Sequence, residues 1–154
     1  MTLKLDYPDL LDNFREHIAP KRTESGSFLI WYLENYYRLD ALEAIDSICD
    51  QRGDKGIDGI YVSDSDHTIY VFQSKISQSA SSTIGDTALK EFHGTLSQLT
   101  DKQAVESVIK SAGEAEVARL LRRLEIANKI DTHDVKGVFV ANVDLDGMVS
   151  TISN

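Results

Sequence analysis

Apolar and polar residues are patterned most clearly in two short runs, Ile57 to Val62 and Thr68 to Ser74, with the polar cluster Ser63-Asp64-Ser65-Asp66-His67 between them. Both runs are rich in Ile, Val, Tyr and Phe, and such runs on either side of a short polar break predict a β-hairpin with a four- or five-residue loop. With Ser63 set opposite Thr68, Val62 faces Ile69, Ile60 faces Val71 and Asp58 faces Gln73. Alternation along the strand then places Gln73 and Lys75 on the face of Asp58 and turns Phe72 and Ser74 the other way.

The rest of the chain reads as helices and one more strand. Apolar positions at Leu10, Leu11, Phe14 and Ile18 suit a short amphipathic helix after Pro8, and the stretch from Pro20 to Ser27 reads as a linker whose last residue is placed to cap the next helix. Phe28 to Leu39 carries Phe28, Trp31, Tyr32, Tyr36 and Tyr37, an aromatic face that reads as core against a sheet rather than as a base-stacking platform. Leu42 to Asp50 fits either a helical turn or a strand leading into the hairpin, and Gly53, Gly56 and Gly59 loosen the backbone where it bends. After a polar loop at Ser77 to Ser82, helices are predicted over Thr87 to Leu99, Gln103 to Ile109 with a stop by Gly113, and Glu114 to Lys129. Val135 to Ala141 has the composition of a buried strand, with a loop from Asn142. The order predicts an α/β fold, a mixed central sheet flanked by helices.

Length and composition fit one domain: 154 residues, 42% apolar and 27% charged, taken as a single unit over 1–154 with its core at about 20–142. The chain closes on Ser-Thr-Ile-Ser-Asn soon after the last strand, as the N-terminal part of a longer protein would. A single cysteine, Cys49, excludes an internal disulfide and reads as a small core residue. No secretory signal and no run of membrane-spanning length is present, so the expectation is a cytoplasmic protein without a membrane partner. The net charge of -9 runs against direct phosphate binding by this surface alone.

Candidate chemistry lies at the hairpin's end. Asp58, Gln73 and Lys75 bring a carboxylate, an amide and an ammonium together, which is costly unless they are hydrated, paired or hold an ion. The plainest arrangement is an exposed Asp58–Lys75 ion pair, contributing at most about 1 kcal/mol. Glu34, inside the aromatic helix, is either on its solvent stripe or turned into a site. Arg119, Arg122 and Arg123 form the one dense basic patch, either a solvated face paired with neighbouring Glu residues or a set of phosphate contacts. His17, His67 and His133 share no metal-ligand spacing, and His93 reads as structural or exposed.

The string Gly53-Asp54-Lys55-Gly56-Ile57-Asp58-Gly59-Ile60, followed by Val71-Phe72-Gln73-Ser74-Lys75, resembles the active-site hairpin of the PD-(D/E)XK nuclease superfamily in its Mrr-like Q-x-K form. It is similar in particular to the N-terminal nuclease-like region of abortive infection phage resistance proteins, over about residues 20 to 142. The resemblance implies a restriction-endonuclease-like fold and Mg²⁺- or Mn²⁺-dependent hydrolysis of nucleic acid, DNA rather than RNA, in phage defence or restriction. It implies that Asp58, Gln73 and the Ser74 backbone carbonyl hold the metal with a Glu from the first helix, Glu34 by its place or Glu24 as its competitor. Lys75 would act on the water or the phosphate. Further domains of a longer chain would supply basic surface, and a homodimer would serve to cut two strands. The competing expectation is a nuclease-shaped module that binds nucleic acid or a protein partner without cutting.

Overall fold

The computed structural model describes residues 9–49, 56–77 and 86–142. The expectations placed on Gly53, on residues 78–82 and on the C-terminal tail lie outside these residues.

The hairpin forms as β1 (Gly59–Ser63) and β2 (Thr68–Lys75), paired antiparallel with Ser63 opposite Thr68, Val62 opposite Ile69 and Ile60 opposite Val71. β2 then pairs in parallel with β3 (Asp134–Ala141), so the described sheet has three strands in the order β1-β2-β3 and β2 is central. A parallel pair needs a long crossover. Here it is made by α4 (Asp86–Leu96), α5 (Lys102–Ala112), α6 (Glu116–Arg123) and α7 (Ile126–Lys129). Ahead of the hairpin come α1 (Asp9–Phe14), a 3-10 turn at Arg15–His17, α2 (Glu24–Tyr36) and α3 (Ala41–Asp46).

Strand alternation sorts β2 between two cores. Ile69 and Val71, with Ile60 of β1, pack against Phe92, Val105, Val108, Val117, Leu121 and Ile126 of the crossover helices. Phe72, with Val140 of β3, packs on the opposite face against Leu10, Phe14, Phe28, Leu29 and Leu33. Each such Leu, Ile, Val or Phe contributes roughly 1.5–3 kcal/mol by leaving water, so a sheet covered on both faces is the economical solution for this pattern. The chain is thus mixed α/β. Among the described residues no helix is long and apolar enough to cross a membrane.

Three boundaries differ from the sequence expectation. α2 begins four residues before Phe28: Thr23, not Ser27, is the cap, accepting the Gly26 N–H at 3.0 Å, while Ser27 is buried within the helix and donates its hydroxyl to the His17 carbonyl at 3.0 Å. Leu42 to Cys49 contains both alternatives in turn, α3 and then an antiparallel bridge from Ile48 to Gly59. The single helix expected over Glu114 to Lys129 is broken at Glu125, whose φ of 54° is left-handed, and the break lets Leu120 and Leu121 on one side and Ile126 on the other enter the same core. The stop expected at Gly113 is present, with φ 65° at the C-cap of α5.

Of the aromatic residues expected as core, Phe28 is buried, Trp31, Tyr32 and Tyr37 are partly buried against the same core, and Tyr36 is exposed. Tyr37 packs edge-on against Tyr61, Tyr70 and Phe72, and Tyr32 lies against Tyr36 and Phe72. Burial, the largest cause, raises the pKa of Tyr32, Tyr37 and Tyr61 above the ordinary tyrosine value, with neighbouring tyrosine charges next for Tyr32 and Tyr37 and the Glu43 carboxylate next for Tyr61. A folded pKa raised above its unfolded value gives stability that is whole below about pH 10 and is lost as pH rises through the folded values. Urea midpoints should therefore hold up to pH 9.5 and fall by pH 11, and Tyr37→Phe should reduce that fall. Equal midpoints at the two pH values would contradict this.

Candidate functional site

The site is assembled where β1 stops and β2 continues. Gly59 opposite Phe72 is the last pair of the β1 ladder, and Asp58 departs from it. Its N–H donates to the Phe72 carbonyl at 2.7 Å, while its carbonyl accepts the Cys49 N–H at 2.8 Å on the other side. In a regular strand both groups of one residue point the same way, so the backbone twists at Asp58. The cause is the segment Ser47 to Cys49, which clasps the outer edge of β1 through the Ile48 bridge and through the Ile60 N–H bond to the Ser47 carbonyl at 2.8 Å. Gly59 is required between them: a Cβ there would stand 2.9 Å from the Ser47 carbonyl oxygen and 3.0 Å from Leu29 Cδ2. Gly56, at φ 80°, makes the turn into this segment.

The twist brings the Asp58 carboxylate onto β2. Its Oδ2 accepts the Ser74 N–H at 2.7 Å, where the next residue of β1 would otherwise have supplied a carbonyl. Ser74 is 2% exposed, so its amide needs this acceptor. The Phe72 carbonyl and the Ser74 N–H both face the β1 edge, and the Ser74 carbonyl, by the same regularity, faces that edge beyond the last β1 pair.

Gln73 sits one residue earlier, on the face of Ile69 and Val71, beside Phe139 of β3 in the parallel register. It is 5% exposed, and its Oε1 is buried with no hydrogen-bond partner among the described residues. A buried amide oxygen left without a donor costs roughly 1–3 kcal/mol. Lys75, exposed at the end of β2, forms no ion pair among the described residues, so the plain Asp58–Lys75 pair does not form. Just beyond, the Asn142 side chain pairs with both backbone groups of Ser77, accepting its N–H at 2.7 Å and donating to its carbonyl at 2.9 Å. That amide extends the β2–β3 pairing past Lys75, a role that a residue read as the start of a loop gave no sign of.

The two glutamates separate. Ser74 Oγ donates to the Ser25 carbonyl at 3.0 Å, which docks the first turn of α2, the turn that begins with Glu24, on the hairpin's end. Glu24 is partly buried, with Oε2 wholly out of solvent. Glu34 lies nine residues beyond Ser25, roughly 13 Å further along the helix axis, and its Oε1 accepts from His17 Nε2 instead. Glu34 therefore does not join Asp58, as its place within the helix had suggested. With Glu16 Oε1 at 3.8 Å from the same His17 nitrogen, Glu16, His17 and Glu34 are the one trio of His, Cys, Asp or Glu ligand atoms within 4.8 Å of one another among the described residues. No local spacing in the sequence signals this trio, because the linker folds the 3-10 turn back onto α2.

The arginines of α6 are held locally. Arg119 pairs with Glu116 at 3.1 Å, Arg122 donates to the Gly113 carbonyl at 3.2 Å, and Arg123 donates to the Asp46 carbonyl. Arg119 and Arg123 line a cleft of about 450 Å³ between α3 and α6, together with the acidic Asp46 and Glu116. His67 and His133 meet ring to ring at 5.4 Å, and His133 Nε2 lies 3.3 Å from Asp64, a contact that ties the hairpin loop to the start of β3.

Comparison with models of protein families, with characterised proteins and with solved structures yields no match in any of the three. The site therefore has to be read from its own chemistry. Asp58, Glu24, Gln73 and the Ser74 carbonyl all offer oxygen, the donor type that suits a hard divalent cation, and Gln73 Oε1 is buried with no hydrogen-bond partner among the described residues.

A cation that binds only the folded chain raises its stability by about 2.7 kcal/mol at a hundredfold excess over its dissociation constant. Mn²⁺ should raise the melting temperature at lower concentration than Mg²⁺, which gives up its waters reluctantly to a neutral amide ligand. Asp58→Asn, which keeps an oxygen for the Ser74 N–H, should remove most of that shift, and His17→Ala should not. The reverse outcome would move the cation to the Glu16–His17–Glu34 trio.

Proposed function

We propose that this chain is a metal-dependent nuclease of the restriction-endonuclease-like kind, hydrolysing phosphodiester bonds of nucleic acid, DNA in preference to RNA, in restriction or phage defence. The observation that carries the reading is the buried Gln73 Oε1, without a hydrogen-bond partner among the described residues, on the residue that precedes the Ser74 amide held by Asp58. The antiparallel hairpin with a parallel third strand, helices on both faces, and Glu24 docked at the hairpin's end are in keeping with it.

In this reading Asp58, Gln73, the Ser74 carbonyl and Glu24 hold Mg²⁺ or Mn²⁺. The ion, when bound, supplies an activated water and charge relief at the phosphate. Asp58 is oriented for that task by its bond to the Ser74 N–H, which fixes one carboxylate oxygen. Gln73 adds a neutral oxygen, so the net negative charge of the ligand set stays at two carboxylates and the set depends on Glu24. Lys75, exposed and outside any ion pair among the described residues, would meet the phosphate and stabilise the charge that develops on it. Non-specific phosphate contacts would come from surfaces other than the α6 arginines, which are taken up by Glu116 and by backbone carbonyls.

A binding module that does not cut is the second reading, favoured by the net charge of -9 and by those occupied arginines. Incubation with plasmid DNA and with single-stranded RNA in Mn²⁺ separates the two. The wild type should nick or cleave, and Lys75→Ala should lose activity by about 100-fold or more while keeping its fold and its metal-induced shift. Full activity in Lys75→Ala would remove that residue from the chemistry. Binding without cleavage by the wild type would leave the module reading standing.

A further inference from the structure

Ser74 makes a side-chain or backbone hydrogen bond to each of the two acid-bearing elements. Its N–H donates to Asp58 Oδ2 at 2.7 Å, and its hydroxyl donates to the Ser25 carbonyl at 3.0 Å, next to Glu24. β alternation separates these two bonds by direction: the amide lies in the sheet plane toward β1, and the side chain stands on the α2 face with Phe72 and Val140. The Ser25–Ser74 bond spans 49 residues of sequence and is 2% exposed at Ser74. It is a polar link between the first turn of α2 and the end of the hairpin. Phe28, Leu29 and Leu33 pack α2 on the sheet through apolar contacts, which are non-directional. The hydroxyl-to-carbonyl bond at one end of the helix is directional.

We propose that the Ser74 hydroxyl is a positioning residue that registers α2 on the hairpin and so delivers the Glu24 carboxylate to the cation held by Asp58 and Gln73. This rests on the metal-site reading above and adds to it: the middle residue of Gln73-Ser74-Lys75 acts through its side chain as well as through its carbonyl. Serine meets the requirement because it is short enough to stand between strand and helix and carries a donor for the Ser25 carbonyl. Alanine would fit the same space, keep the N–H bond to Asp58, and lose only the registration.

The test is a calorimetric Mn²⁺ titration of the wild type, Ser74→Ala, Glu24→Gln and the double variant, with metal-free melting as a check of folding. Loss of a group that orients a ligand typically weakens metal affinity about 10- to 100-fold, and that is the expectation for Ser74→Ala. Because Ser74 acts through Glu24, the double variant should bind no more weakly than Glu24→Gln alone. Wild-type affinity in Ser74→Ala would overturn the proposal. So would additive losses in the double variant, since a purely structural serine would weaken binding whether or not Glu24 is present. If the wild type takes up no Mn²⁺, or if Asp58→Asn takes it up equally, the metal-site reading itself falls and the proposal with it. That outcome is distinct from a site that binds but ignores Ser74.

Discussion

The Ser74 amide has to be satisfied in a place where the neighbouring strand has already ended. β2 is the central strand and is buried nearly to its last residue, yet β1 pairs with it only as far as Gly59 and Phe72. A buried N–H beyond that point needs an acceptor, and the Asp58 carboxylate supplies it at 2.7 Å. This one bond gives Asp58 a structural task and at the same time fixes its position next to Gln73. Removing the carboxylate altogether therefore tests stability and chemistry together, whereas the amide of Asn keeps the acceptor and changes the charge.

The rest of the site follows from the same constraint. The twist at Asp58 depends on the Ser47–Cys49 segment gripping the outer edge of β1, and that close approach depends on the missing Cβ of Gly59. On the α2 face, Ser74 reaches Ser25 and brings the helix start, with Glu24, alongside. On the other face, Gln73 lies among apolar neighbours, its oxygen unpaired among the described residues. An unsatisfied buried amide only destabilises the fold, and the proposed cation would offset that cost.

How far the sequence carried differed from element to element, for physical reasons. The hairpin register was legible, because a polar loop between two β-branched runs leaves little choice of pairing and the cores on either face enforce it. The position of Asp58 was only half legible: its strand level followed from the register, but its bond to Ser74 depends on the Ser47–Cys49 edge, which local propensity left open between helix and strand. A helix that starts at Phe28 favours Glu34 as the site residue. The Thr23 cap moves the start back, brings Glu24 to the hairpin and leaves Glu34 with His17, a partner 17 residues away that no local pattern announces. The break at Glu125 was hidden because a left-handed residue that is not glycine leaves no mark in the sequence.

The claim that stands above the others is that a divalent cation belongs at the end of the hairpin. Diffraction from crystals soaked in Mn²⁺, collected at the manganese absorption edge, locates the ion without reference to activity or stability. The account predicts one strong anomalous peak in contact with oxygens of Asp58 and Gln73, with Glu24 alongside. A peak at Glu16, His17 and Glu34 instead, or no peak at the hairpin in crystals that remain intact, would contradict it.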